Sequence, residues 1–140
     1  MFTNVTFLDS LPGSTLDAYL ADGWYRMGQA LFTSRVVYFE GTMQTVLWLR
    51  VPVQRHRLSK SNRQLKRKVE SSFRVTVNPA SIQPAHEELY REYLTVVTGE
   101  RPTTVSHLLH GGADRNIFET WEVNVWDGDK LAAFSLFDLG

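Results

Sequence analysis

The sequence predicts an α+β fold, a mostly antiparallel sheet with helices packed on it. Two pairs of β-rich runs, residues 35–40 with 44–53 and 118–126 with 130–137, are each joined by a short glycine-containing turn. Between them lie helical patterns, the clearest framed by Pro84 and Gly99. Strands that come in hairpins, with helices grouped apart from them, give antiparallel neighbours. At 140 residues, 43% hydrophobic and 12% aromatic, the chain has material for one core, so a single domain over 1–140 is expected.

Each element has its own local cause. Ser14 is placed to cap a short helix to Asp22, with Asp17 near its positive end and Leu16, Tyr19 and Leu20 on one face. Gly23 supplies its stop. Gly41-Thr42-Met43 separates the first pair of strands, and Val46, Leu47, Trp48 and Leu49 are apolar without alternation, which predicts a central strand with Trp48 in the core. Pro52 limits that strand's pairing near its end. Residues 59–71 read as a helix with Leu58, Leu65 and Val69 toward one side and Lys and Arg over the rest.

Phe73, Val75 and Val77 alternate with Arg74 and Thr76, the pattern of a half-buried strand closed by Asn78-Pro79. Pro84 in a first turn, followed by Glu87 and Glu88 near the positive end, starts a helix that turns Leu89, Tyr90, Tyr93, Leu94 and Val97 inward. A shorter helix is expected over residues 104–110, before the loop Gly111-Gly112-Ala113-Asp114. Asp127-Gly128-Asp129 then provides the positive φ that a tight hairpin turn needs.

The formal net charge is zero, but its distribution is lopsided. Residues 54–68 hold Arg55, Arg57, Lys60, Arg63, Lys66, Arg67 and Lys68, seven of the fifteen basic residues, with no acid among them. The remainder carries eight basic residues against fifteen acidic ones. A concentrated positive helix neutralises phosphates and releases their counterions, which points to RNA or another polyanion. A plainly solvated helix face is the alternative, at a cost of a few tenths of a kcal/mol per neighbouring like-charge pair.

Other chemistries are excluded or thinly supported. Cysteine is absent, which removes disulfides, thiolate metal sites and a cysteine nucleophile and agrees with a reducing compartment. The first eleven residues lack the basic start and apolar run of an export signal, and eighteen apolar residues never occur together. A cytoplasmic protein with no membrane partner is therefore expected. His107 and His110 stand three apart with no carboxylate at a fitting offset, so neither they nor His56 and His86 imply a metal. No phosphate-cradling glycine loop is present, and no cofactor is expected.

Trp24, Trp48, Trp121 and Trp126 can stack on bases, but aromatic rings in a domain of this size usually fill the core. Trp126, on the strand face opposite Trp121 and Val123, is the better pocket-lining ring. Glu119 and Glu122 flank Trp121, where a carboxylate could deprotonate an amine. A strand's solvent face also commonly carries glutamate, which is the plainer explanation of both.

In order along the chain stand LDAYLADGWYRMG (residues 16–28), then Ser59-Lys60-Ser61-Asn62-Arg63 with Leu65-Lys66-Arg67, then Leu89-Tyr90 with Tyr93, then Asp127-Gly128 leading to Leu131-Ala132-Ala133 and Asp138. This succession, which spans most of the chain, resembles the arginyl- and leucyl-tRNA-protein transferases, whose Ser-Lys-Ser-Gln-Arg segment the basic stretch is similar to. The resemblance implies a GNAT-like acyltransferase fold, with residues 1–53 an N-terminal helix and hairpin region and 54–140 the start of the transferase domain. It implies an enzyme that moves Arg or Leu from aminoacyl-tRNA to a protein's N-terminal α-amine, marking that protein for degradation. It assigns Ser59, Lys60, Ser61, Arg63, Lys66, Arg67 and Lys68 to the tRNA and Trp24, Arg26, Tyr90 and Tyr93 to the substrate cleft.

Two departures accompany it. The family's N-terminal cysteine cluster is missing, and in the family further strands and helices follow the position of Gly140. A shortened form, a second copy or a completing chain is expected in consequence, with a non-catalytic RNA- or protein-binding relative as the alternative function.

Overall fold

The computed structural model describes residues 3–99 and 101–140; Met1, Phe2, Glu100 and the side chain of Gln54, which opens the basic stretch, lie outside the described set. The described residues form an α+β fold whose sheets are all antiparallel. In place of one sheet there are three small ones.

The first sheet has the order β1-β3-β2, from β1 (Thr3–Phe7), β2 (Tyr25–Met27) and β3 (Ala30–Ser34). None of these strands was legible in the periodicity, because each is at most five residues long and none belongs to a long alternating run; helix α1 (Gly13–Ala21) comes between β1 and β2. Leu11, Leu16 and Leu31 join Phe118 in the core between them, with Trp24, Tyr19 and Ile117 packed around. Ser14 does not cap α1. The Pro12 carbonyl takes the N–H groups of Thr15 and Leu16, so Ser14 sits inside the first turn. Asp17 likewise pairs with Arg50 at 2.7 Å on the surface and does not serve the helix end. Gly23, at φ +81°, stops α1 as its position requires, with the Trp24 N–H reaching back to Tyr19 O.

The second sheet is the hairpin of β4 (Val36–Phe39) and β5 (Thr42–Thr45). Its turn is Glu40-Gly41, both at positive φ, one residue earlier than the expected Gly41-Thr42-Met43. The predicted central strand through Val46 to Leu49 is not formed: residues 46–50 are outside regular structure and Leu49 is 92% exposed. An unalternating apolar strand needs cover on both faces, and this two-stranded sheet supplies none. Trp48 is accordingly not core. It is 43% exposed, rests on Tyr25 at 4.4 Å between ring centres and donates its Nε1–H to Ser34 O.

The third sheet, ordered β6-β7-β8, is built from β6 (Arg74–Pro79), β7 (Thr120–Asp127) and β8 (Lys130–Asp138). Preceding it is α2 (Lys60–Ser72); between β6 and β7 come α3 (Pro84–Leu94) and α4 (Val105–His110). Helix α3 is packed against β8 and α4. This sheet reverses the expected faces. Thr120, Glu122 and Asn124 of β7 are buried, whereas Val75 and Val77 of β6 are exposed at 42% and 52%. Two strictly alternating sets of residues give no local sign of which face a helix covers, and here the polar set is the covered one. A β-bulge between Val125 and Trp126 shifts the β7–β8 register near the turn. Among the described residues no helix is long and apolar enough to cross a membrane.

Candidate nucleic-acid interface

Helix α2 starts where Ser59 stands at the N-cap: its Oγ accepts the Asn62 N–H at 3.2 Å and lies 3.0 Å from Ser61 Oγ. No residue of α2 is buried, and only Val69 is half-buried. Leu65 is 61% exposed, so the apolar side that the pattern predicted exists but covers no core. Lys60, Arg63, Lys66, Arg67 and Lys68 are all exposed, as are Arg55 and Arg57 on the approach to the helix. Lys66 has a counter-charge, Glu70 Oε1 at 3.5 Å, and Arg63 Nη1 donates to Leu58 O. From residue 60 to 68 the helix rises roughly 12 Å. Duplex nucleic acid presents on the order of seven charges over that length, at one per about 1.7 Å.

The positions expected in a substrate cleft separate into two places. Trp24 packs on the N-terminal core, edge-on to Tyr19 at 5.4 Å. Arg26 is turned inward at the junction of the first and third sheets. Its Nε donates to Gly28 O at 2.8 Å, Nη1 to Asp138 Oδ1 at 2.6 Å and Thr120 Oγ1 at 2.9 Å, and Nη2 to Leu109 O at 2.5 Å and Asn116 Oδ1 at 3.3 Å. The guanidinium also lies 4.1 Å from the centre of the Phe118 ring. All five of its N–H donors therefore have partners within the chain. Burial pushes the Arg26 pKa down from the ordinary arginine value, and the charge and hydrogen bond of Asp138 act against that shift. Gln29 closes the junction by accepting the Ile117 N–H and donating to Leu109 O and Asn116 Oδ1.

Tyr90 and Tyr93 do come together. Their rings stack at 6.0 Å, with Tyr90 buried and donating its hydroxyl to Pro102 O while Tyr93 is 46% exposed. They form one wall of a groove of about 460 Å³ whose opposite wall is β8 from Ala132 to Leu136. Its lining has no carboxylate, histidine, lysine or arginine.

Glu119 and Glu122 part company. Glu119 is exposed, 3.4 Å from Trp121 Nε1, whereas Glu122 is 5% exposed and so not on a solvent face as the plainer reading expected. Glu122 accepts the Ser81 N–H at 3.0 Å and the Asn124 Nδ2–H at 2.8 Å. Asn124 Oδ1 in turn takes the Nε2–H of His86 at 3.1 Å, and His86 Nδ1 accepts the Gln83 N–H, which fixes the Nε2–H tautomer. His86 Nε2 lies 3.8 Å from Glu122 Oε2. His86 lies in the first turn of α3, where the sequence around it gives no sign of a partner; the signal that marks its partners is the Thr120, Glu122, Asn124 alternation. Trp126 is half-buried on that same side, donating to Thr76 Oγ1 with Arg74 5.0 Å from its ring. Among the described residues no group of three histidine or carboxylate side chains is arranged to hold a metal.

The chain matches no family model, no curated protein and no solved structure.

Proposed function

We propose that the chain binds RNA through α2 and belongs with the aminoacyl-tRNA-protein transferases, having the GNAT-like acyltransferase fold and a cytoplasmic setting. The observation that carries the RNA half is the exposure of all seven cations of residues 55–68, five of them on a helix with no buried residue and two just before it. A helix that contributes no core and concentrates like charge gains most from a polyanion that neutralises it. Ser59, Lys60, Ser61, Arg63, Lys66, Arg67 and Lys68 take the tRNA phosphates in this reading, and Tyr90 and Tyr93 border the cleft for the acceptor protein's N-terminus.

The reaction would bring a neutral α-amine against the ester carbonyl of aminoacyl-tRNA. A new amide C–N bond forms, the ester C–O bond to the terminal ribose breaks, and the proton lost by nitrogen ends on the departing ribose oxygen. Such a transfer requires positioning and oxyanion stabilisation and no covalent enzyme intermediate.

A second reading, an RNA-binding relative without chemistry, is favoured by two facts of the geometry. Every donor of Arg26 is engaged internally, and the Tyr90–Tyr93 groove is lined by no carboxylate, histidine, lysine or arginine. The two readings separate in a transfer assay with labelled aminoacyl-tRNA and peptides beginning with Asp or Glu. Product above the enzyme-free control supports the transferase; salt-sensitive tRNA binding with no product supports the relative without chemistry.

A further inference from the structure

Strand β8 pairs with β7 on one side only, so the backbone groups along its other side have no strand partner among the described residues. An open edge of this kind is a template for another extended chain. The groove between that edge and Tyr90, Tyr93 and Leu108 gives it an apolar flank. Leu89 borders both this groove and a second hollow of about 250 Å³ toward the start of β8, where Glu88, Glu92 and Asp129 stand with Lys130. One end of the region is thus rich in carboxylates, and the middle is uncharged.

We propose that this edge binds an extended peptide segment of another protein by strand addition. Backbone hydrogen bonds to residues 132–136 fix the segment, and alternate apolar side chains enter beside Tyr90 and Tyr93. A basic side chain lies over Glu88, Glu92 and Asp129. Strand addition takes its affinity from main-chain hydrogen bonds and its selectivity from pockets that accept every second side chain. A helix offers no free backbone groups to this edge, and RNA is repelled by the carboxylates at its end. The site shares the Tyr90–Tyr93 groove assigned above to the acceptor protein, of which this would be the extended segment, but it is separate from α2 and stands whether or not α2 binds RNA.

The probe is a fluorescein-labelled synthetic decapeptide of alternating valine and threonine with two lysines at one end, titrated by anisotropy. Saturable binding is expected, with loss of about tenfold or more when alternate backbone nitrogens are N-methylated in one of the two registers. Losses of that order are also expected for the Glu88→Lys/Glu92→Lys double variant and for Tyr93→Ala, all at exposed or half-exposed positions that leave the fold intact by circular dichroism. Amide exchange in residues 132–136 slows with peptide bound. No saturation up to about 1 mM peptide, or equal affinity for both N-methylated forms, overturns the proposal. So does protein self-association that protects the same amides without peptide, which gives the edge to a second copy.

Discussion

Arg26 Nη1 and Asp138 Oδ1, separated by 112 positions in sequence, meet at 2.6 Å where the first sheet abuts the third. Both side chains are 17% exposed, and Asp138 also accepts from Thr120 Oγ1 at 2.6 Å. A charge pair this shielded is costly to halve. Asp138→Ala should lower stability by about 2–3 kcal/mol, because it leaves the guanidinium short of its counter-charge inside the junction. Urea unfolding measures this. A shift under about 0.5 kcal/mol would mean that the pair is not a fastening between the sheets.

Asn124 links two buried ionisable side chains, His86 and Glu122, through opposite ends of one amide. Asn124→Ala removes a donor from Glu122 and an acceptor from His86, with a cost of about 2–4 kcal/mol for two groups left short of partners. Asn124→Asp keeps the acceptor for His86 but sets a carboxylate against Glu122, so its stability should fall as pH rises through the carboxylate range. Thermal melts of the two variants across pH distinguish these effects.

Gly28 and Gly111 touch back to back: a Cβ on Gly28 would lie 3.1 Å from Gly111 Cα, and both residues are at positive φ. Gly28→Ala should therefore cost about 1–3 kcal/mol through left-handed strain and backbone contact. Gly41→Ala has positive φ but open space around it and should cost about 1 kcal/mol. Paired denaturation curves compare the two directly.

The legible parts of the fold were those whose cause is local. Ser59 before a polar amphipathic run, Pro84 opening α3, Thr104 accepting the His107 N–H at the start of α4, and Asp127-Gly128-Asp129 each act on their own few residues. What was not legible depends on partners distant in sequence. Val46 to Leu49 have the pattern of a strand covered on both faces, but the fold leaves Leu47 and Leu49 exposed. In β7 the choice between Thr120-Glu122-Asn124 and Trp121-Val123-Val125 as the inner face is made by His86 on α3, some 38 positions away. The exposed basic surface could be seen from charge alone, since like charges without acids have no buried solution. Arg26 could be singled out, but its five internal acceptors, drawn from four separate stretches of chain, could not.

Helix α2 has no buried residue and carries the like-charge neighbours Lys60–Arg63, Arg63–Lys66 and Arg63–Arg67, so its helicity depends largely on its cap and on screening. Ser59→Ala should lower helical content in α2 with a local cost of about 1 kcal/mol, and rising salt should restore part of it. Far-ultraviolet circular dichroism against salt concentration reads both. Helicity that falls with salt would show that repulsion is not what limits the helix.

The proposal that α2 binds RNA is tested most directly by filter-binding titration of tRNA with the wild-type chain and the Arg63→Glu/Arg67→Glu variant across salt concentrations. Wild-type affinity should fall steeply with salt, at a log–log slope of about −0.7 to −0.9 per phosphate contacted. The variant, still folded because both positions are exposed, should bind about tenfold or more weakly with a shallower slope. Undetectable or salt-insensitive wild-type binding, or a variant with wild-type affinity and slope, would contradict α2 as the RNA surface.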